Sequence, residues 1–160
     1  MQLELRIHNE SRALPGVQGF VRGTLDQIAF AEDEVPRLEQ LVLAAVRHAV
    51  DHAYPMGELG VIELTLSDSK GRAEITIRDY GLPVDVHRLE AQASKPSAAG
   101  IANHEAAELV DEMHWQSFGP AGKSLQLIKW LHTPTVADAS AKHELETVSE
   151  EGEFDTVELA

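Results

Sequence analysis

The stretch Ala73-Glu74-Ile75-Thr76-Ile77-Arg78-Asp79-Tyr80-Gly81-Leu82-Pro83 decides how this chain folds. Ala73, Ile75 and Ile77 share one parity and Glu74, Thr76 and Arg78 the other, the period-2 alternation of a half-buried strand. Asp79 falls on the apolar parity. An inward carboxylate loses its water and needs hydrogen-bond donors from the protein or from a ligand. Gly81 permits a close backbone approach or a positive φ, and Pro83 stiffens the exit. Two readings of Asp79 stay open on these residues. It reads an exocyclic amine such as that of adenine, or it caps a turn at the strand end.

Working outward, Ile62, Leu64 and Leu66 alternate in the same way, and Asp68-Ser69-Lys70-Gly71 turns that strand into the one ending at Asp79. Ahead of the hairpin, Leu38, Leu41, Val42, Ala45 and Ala49 form a helical stripe that starts near Pro36 and stops near Tyr54-Pro55. Gly57 and Gly60 mark the turn after it. An earlier helix is expected over about 15–30, with Val17, Phe20, Val21, Leu25 and Ile28 near helical spacing. Leu3, Leu5 and Ile7 alternate in a first strand. Beyond Pro83 the pattern dissolves into a loop over 84–100. A helix over about 101–110, a strand over 113–118, a turn at Gly119-Pro120-Ala121-Gly122 and a last strand over 124–131 follow. The order β-α-α-β-β-loop-α-β-β predicts an α+β two-layer sandwich: a mixed, largely antiparallel sheet with helices on one face.

Composition bounds the function. The 160 residues are 43% hydrophobic and 25% charged, as in a globular protein with one substantial core. No apolar run approaches a membrane span, and Met1-Gln2-Leu3-Glu4 lacks the basic start of a signal peptide, so a cytoplasmic protein with no membrane partner is expected. The absence of cysteine excludes thiol catalysis and Cys-based zinc sites. A net charge of -14 argues against nucleic acid as a partner. Half of that charge sits in 134–160, where eight acids face one base, Lys142. The sequence therefore divides into a domain over 1–133 and an acidic tail over 134–160. The tail is too poor in large apolar groups to order alone. It is expected to be a flexible, solvated tail, or to order only against another surface, one candidate being the pocket that Asp79 marks, where it would compete for phosphate-binding groups.

Three stretches carry a resemblance: Leu41-Val42-Leu43-Ala44-Ala45-Val46-Arg47-His48-Ala49-Val50-Asp51-His52-Ala53-Tyr54-Pro55, Asp79-Tyr80-Gly81-Leu82-Pro83, and Gly100 through Lys129, closing on Gly122-Lys123-Ser124-Leu125-Gln126-Leu127-Ile128-Lys129. In this order and spacing the chain resembles the Bergerat-type ATP-binding domains shared by histidine kinases, type II topoisomerases, the ninety-kilodalton heat-shock chaperones and MutL proteins. It is most similar to the anti-sigma-factor serine/threonine kinases, over about 3–131. The resemblance implies ATP or ADP as ligand, with Asp79, Gly81, His48, Gly100 and Ser124 as nucleotide-binding positions. It also implies a protein partner of sigma-factor or anti-anti-sigma type, and a homodimer formed through the sheet near the first strand.

The departures from the family bear on chemistry. The glutamate that activates the nucleophile falls on Ala44, and the magnesium-binding asparagine on His48, four residues later and on the same helical face. Alanine cannot act as a base, so no catalytic residue is assigned. Magnesium prefers oxygen ligands, so its binding at His48 is doubtful. In the phosphate loop Gly100-Ile101-Ala102 keeps one glycine of two, with Lys95 and Lys123 as candidate point charges for phosphate. His48 and His52 have the spacing of a zinc pair, but packing is the commoner use; His87, His104 and His114 would have to supply a third ligand. Trp115 and Trp130 read as core or interface groups. The expected function is a regulatory, histidine kinase-like domain that docks a partner with catalysis impaired, in effect a pseudokinase. The alternative is an active ATP-dependent serine/threonine kinase acting on an anti-anti-sigma-type protein.

Overall fold

The structure is a computed structural model that describes residues 1–83 and 109–131. Its elements are β1 (Gln2–His8), α1 (Leu14–Leu25), α2 (Glu34–His52), β2 (Val61–Ser69), β3 (Arg72–Asp79), β4 (Glu112–Ser117) and β5 (Lys123–Trp130). The strands form one sheet in the order β1-β2-β3-β5-β4, and every pairing is antiparallel. Register follows the apolar parity: Leu5, Leu64, Ile77 and Leu125 lie side by side across four strands. A one-residue slip would turn each of these side chains out of the core.

The β2–β3 turn holds Lys70 at φ 52° and Gly71 at φ 77°. Two successive positive φ angles make the tight hairpin whose twist suits the strands it joins.

Both helices cover the inward face. Val17, Val21 and Leu25 of α1 and Leu38, Val42, Val46 and Ala49 of α2 join Ile62, Leu64, Leu66, Ile75, Ile77, Leu125 and Leu127 in one buried cluster. Each large member contributes about 1.5–3 kcal/mol on burial. The two helices are also tied by a polar bond. Glu39, buried on α2, accepts from Gln18 Nε2 at 2.8 Å and from the Arg22 guanidinium at 3.4 Å. No described helix lies on the opposite face of the sheet, whose centre is largely polar, with Glu63, Thr65, Glu74, Thr76 and Gln126 half-buried and Ile128 buried among them.

Two boundaries differ from expectation. α1 ends at Leu25, five residues short, because the backbone there tightens into 3₁₀-type turns: Gln27 N–H donates to Thr24 O and Ile28 N–H to Leu25 O. Ile28 is still buried, which is why its spacing read as helical. At Leu109 and Val110 the chain is not helical, and the remainder of the expected helix over 101–110 lies outside the described residues, as do the loop over 84–100 and the tail. No helix among the described residues is long and apolar enough to cross a membrane.

Candidate functional site

Parity brings Asp79 inward and buries it, and the antiparallel register places Lys123 directly opposite on β5. Both side chains lie under α2. Lys123 Nζ is 2.9 Å from Asp79 Oδ2, and Gly81 N–H donates to Asp79 Oδ1 at 3.1 Å. Each carboxylate oxygen is thus satisfied from within. The Gly81 bond is the turn cap read as one of the two options for Asp79. The lysine was a phosphate candidate in the sequence; instead it is buried and paired, because its parity on β5 matches that of Leu125 and Leu127.

The space left beside this pair is a cavity of about 10 Å³ lined by Ala45, His48, Ala49, Ile77, Asp79, Trp115, Lys123 and Leu125. That is room for roughly one water molecule. Trp115 packs against the core, and its Nε1 is buried without a hydrogen-bond partner. A purine ring does not fit here as the side chains stand, and no step through a nucleotide follows from this arrangement.

The outer face of α2 is more open. Gln40, Leu43, Ala44, Arg47, His48, Asp51 and His52 line a cavity of about 480 Å³. Ala44 and His48 share this face, as their spacing requires, but neither supplies an anionic oxygen for magnesium. The His48 and His52 rings lie 4.7 Å apart. Burial, then the nearby His52 and Lys123, hold His48 below the usual histidine range, outweighing Asp51 and Asp79. Among the described residues no group of three or more His, Asp or Glu side chains is placed to hold a metal. His114 is on β4, where Nε2 lies 2.9 Å from Glu112 Oε2.

Gly81 reaches its place by close approach rather than by a positive φ. A Cβ on it would fall 1.8 Å from the Ala53 carbonyl oxygen, and Leu82 N–H donates to that same oxygen at 2.7 Å. The loop after β3 therefore caps the C-terminus of α2. Tyr54 extends the junction. Its hydroxyl donates to Val61 O and accepts from Tyr80 N–H at 3.0 Å, while its ring lies where a side chain on Gly60 would stand. Burial raises the Tyr54 phenol above its ordinary value. Gly122, at φ 89°, lies against the Asp79 carbonyl.

Of the residues picked from sequence, Asp79, Gly81 and His48 come together around the α2–β3 junction. Ser124 does not: it pairs with Arg78 and faces the opposite side of the sheet from Asp79. Gly100 and Lys95 lie outside the described residues. Trp130 is largely exposed, with the Arg72 guanidinium 6.0 Å from its ring centre. The residue whose role sequence reasoning missed is Lys123. Its signal was available, since a lysine on the apolar parity of a core strand requires a buried anion.

Residues 7–129 match the family described as the histidine kinase-like ATPase domain. The chain belongs to that family. Among curated proteins it is similar to the serine-protein kinase RsbW of Bacillus licheniformis, 27% identical over 154 residues, which is 88% of this chain and 95% of that one. Among solved structures it is similar to the RsbU and RsbW domains of Rv1364c from Mycobacterium tuberculosis, with TM-score 0.60 and 18% identity over 84% of this chain. It spans about a third of that longer chain, 33%. The histidine kinase domain of Erythrobacter litoralis EL346 gives TM-score 0.52 and 17% identity over 74% of this chain and 61% of its own. These structural likenesses establish the shared fold.

Proposed function

We propose that this domain is a regulatory, histidine kinase-like docking module of a partner-switching circuit, in which the adenine-reading position is taken up by its own Lys123. The observation that supports this reading is the Lys123–Asp79 pair, 2.9 Å long and buried on both sides. An adenine amine would have to displace an ammonium from the carboxylate inside a space of about 10 Å³. Ala44 removes the general base from the same helix. Catalysis is accordingly impaired and nucleotide binding weak or lost, while the fold is retained as a scaffold.

The similarity to a curated RsbW serine-protein kinase supports a protein partner, of sigma-factor or anti-anti-sigma type. β1 stands at the edge of the sheet with its outer backbone unpaired by any described strand, which supports a homodimer formed there. A cytoplasmic location without nucleic acid fits the acidic charge.

The alternative, an active ATP-dependent serine/threonine kinase, draws on the cavity of about 480 Å³ beside Ala44 and His48. Calorimetric titration of the full chain with ADP and ATP, with and without Mg²⁺, separates the two. Absence of heat and of thermal stabilisation at millimolar nucleotide is the expected result. Micromolar binding that Asp79→Asn abolishes would overturn the proposal and restore the kinase reading.

A further inference from the structure

The face of the sheet opposite the helices carries a preorganised cluster at one corner. The Arg78 guanidinium on β3 lies 3.5 Å from the centre of the Phe118 ring and 4.8 Å from that of Tyr80. Both rings are exposed, Tyr80 at 46% and Phe118 at 38%. Tyr80 and Arg78 are held through their side chains and Phe118 through its backbone. Tyr80 OH donates to Glu63 Oε2 at 2.7 Å, Phe118 N–H to Gly122 O at 2.8 Å, and Arg78 Nη2 to Ala121 O at 3.1 Å. An arginine sandwiched between aromatic rings, with its rotamer already fixed, is the kind of surface that binds with little further ordering cost.

Glu63 faces Arg78 across the β2–β3 pair and feels its charge, but makes its direct contacts elsewhere. Arg6 and Arg72, the other arginines of the face, are paired with Glu63 and Glu74. Arg78 forms no ion pair among the described residues, and most of its five N–H donors remain for a ligand. The neighbouring carboxylates are engaged: Glu63 by Arg6 and Tyr80, Glu74 by Arg72 and Gln126, Glu112 by His114.

We infer that this corner is the docking site for the chain's own acidic segment Glu150-Glu151-Gly152-Glu153-Phe154-Asp155, whose carboxylates meet Arg78 and whose phenyl ring packs beside Tyr80 and Phe118. The segment supplies four carboxylates around one aromatic ring, which complements one cation between two rings. Its reach fits as well. From Leu131 back along β5 to Ser124, the cross-strand neighbour of Arg78, the distance is about 23 Å at the rise of a strand. Phe154 lies 23 positions beyond Leu131. A neutral flexible tether of that length has a root-mean-square span of about 26 Å, and repulsion among its acids lengthens it, so the corner is within reach. The inference does not depend on whether nucleotide binds.

The test uses the full chain, whose lack of cysteine lets Thr156→Cys carry a single nitroxide. Paramagnetic broadening of backbone amides then reports where the segment sits. The expected result is selective broadening at 78–82 and 118–122 that is unchanged on dilution. Arg78→Gln should cut the docked-to-free ratio about fivefold, and high salt should weaken it. Phe154→Ala, which leaves the sheet and helices untouched, should also relieve the broadening. Uniform or absent broadening, or broadening indifferent to Phe154→Ala, would overturn the inference. Broadening seen only when labelled and unlabelled chains are mixed would overturn it in favour of a second copy.

Discussion

Replacing Lys123 with alanine removes the cation that, among the described residues, compensates Asp79. The carboxylate is 3% exposed and would retain a single donor, Gly81 N–H. Breaking a buried pair in this way costs about 3–5 kcal/mol, because the remaining charge stays desolvated, whereas replacing both partners by groups of similar volume is close to neutral. The double variant Asp79→Asn/Lys123→Met should therefore recover most of what Lys123→Ala loses, with a coupling of about 3 kcal/mol in the cycle that includes Asp79→Asn and Lys123→Met. Urea unfolding followed by tryptophan fluorescence reads this directly, since Trp115 lines the same cavity. For a domain of this size the loss corresponds to a midpoint lower by about 2 M. A loss under about 1 kcal/mol, or a coupling near zero, would refute the account of how Asp79 is satisfied.

Gly81→Ala should destabilise by about 2–4 kcal/mol, since its Cβ meets the Ala53 carbonyl and breaks the Leu82 cap; thermal melting should drop by roughly 10 °C. His48, held below the usual histidine range by burial, takes up its proton more readily in the unfolded chain. Stability should thus fall as pH drops through about 6.5, and His48→Gln should flatten that part of the profile, as urea midpoints at neutral and mildly acidic pH would show. Ala44→Glu together with His48→Asn should not restore ADP binding in calorimetry while Lys123 remains. Adding Lys123→Ser is expected to produce the first measurable heat, and binding without it would show that the lysine is no obstacle.

The fold was legible because its strands alternate cleanly: Ala73 to Asp79 and Ile62 to Leu66 each bury one parity and leave the other half-buried. Helix α2 was equally clear from its stripe. Boundaries were less so, since Ile28 keeps helical spacing after the helix has ended, and spacing records burial rather than hydrogen bonding. Asp79 was legible as inward, whereas Gly81 left a close approach or a positive φ open, and the structure takes the first. What the sequence could not supply was the partner across the sheet. Register, not local pattern, sets Lys123 against Asp79 and sends Ser124 to the other face. The capping role of Leu82 and the bridging hydroxyl of Tyr54 likewise join segments far apart in the chain, and no spacing rule connects them.

The Lys123–Asp79 pair also constrains how this lineage can change. A substitution that removes either residue leaves its counterpart stranded in the core, so each single step costs a large part of the stability of a small domain. Drift at these two sites is therefore blocked unless both change together, or unless some third change first opens the interior to solvent. Such a pair acts as a ratchet. Once seated, it keeps the pocket in its present state through many generations of otherwise permissive substitution on the surface around it.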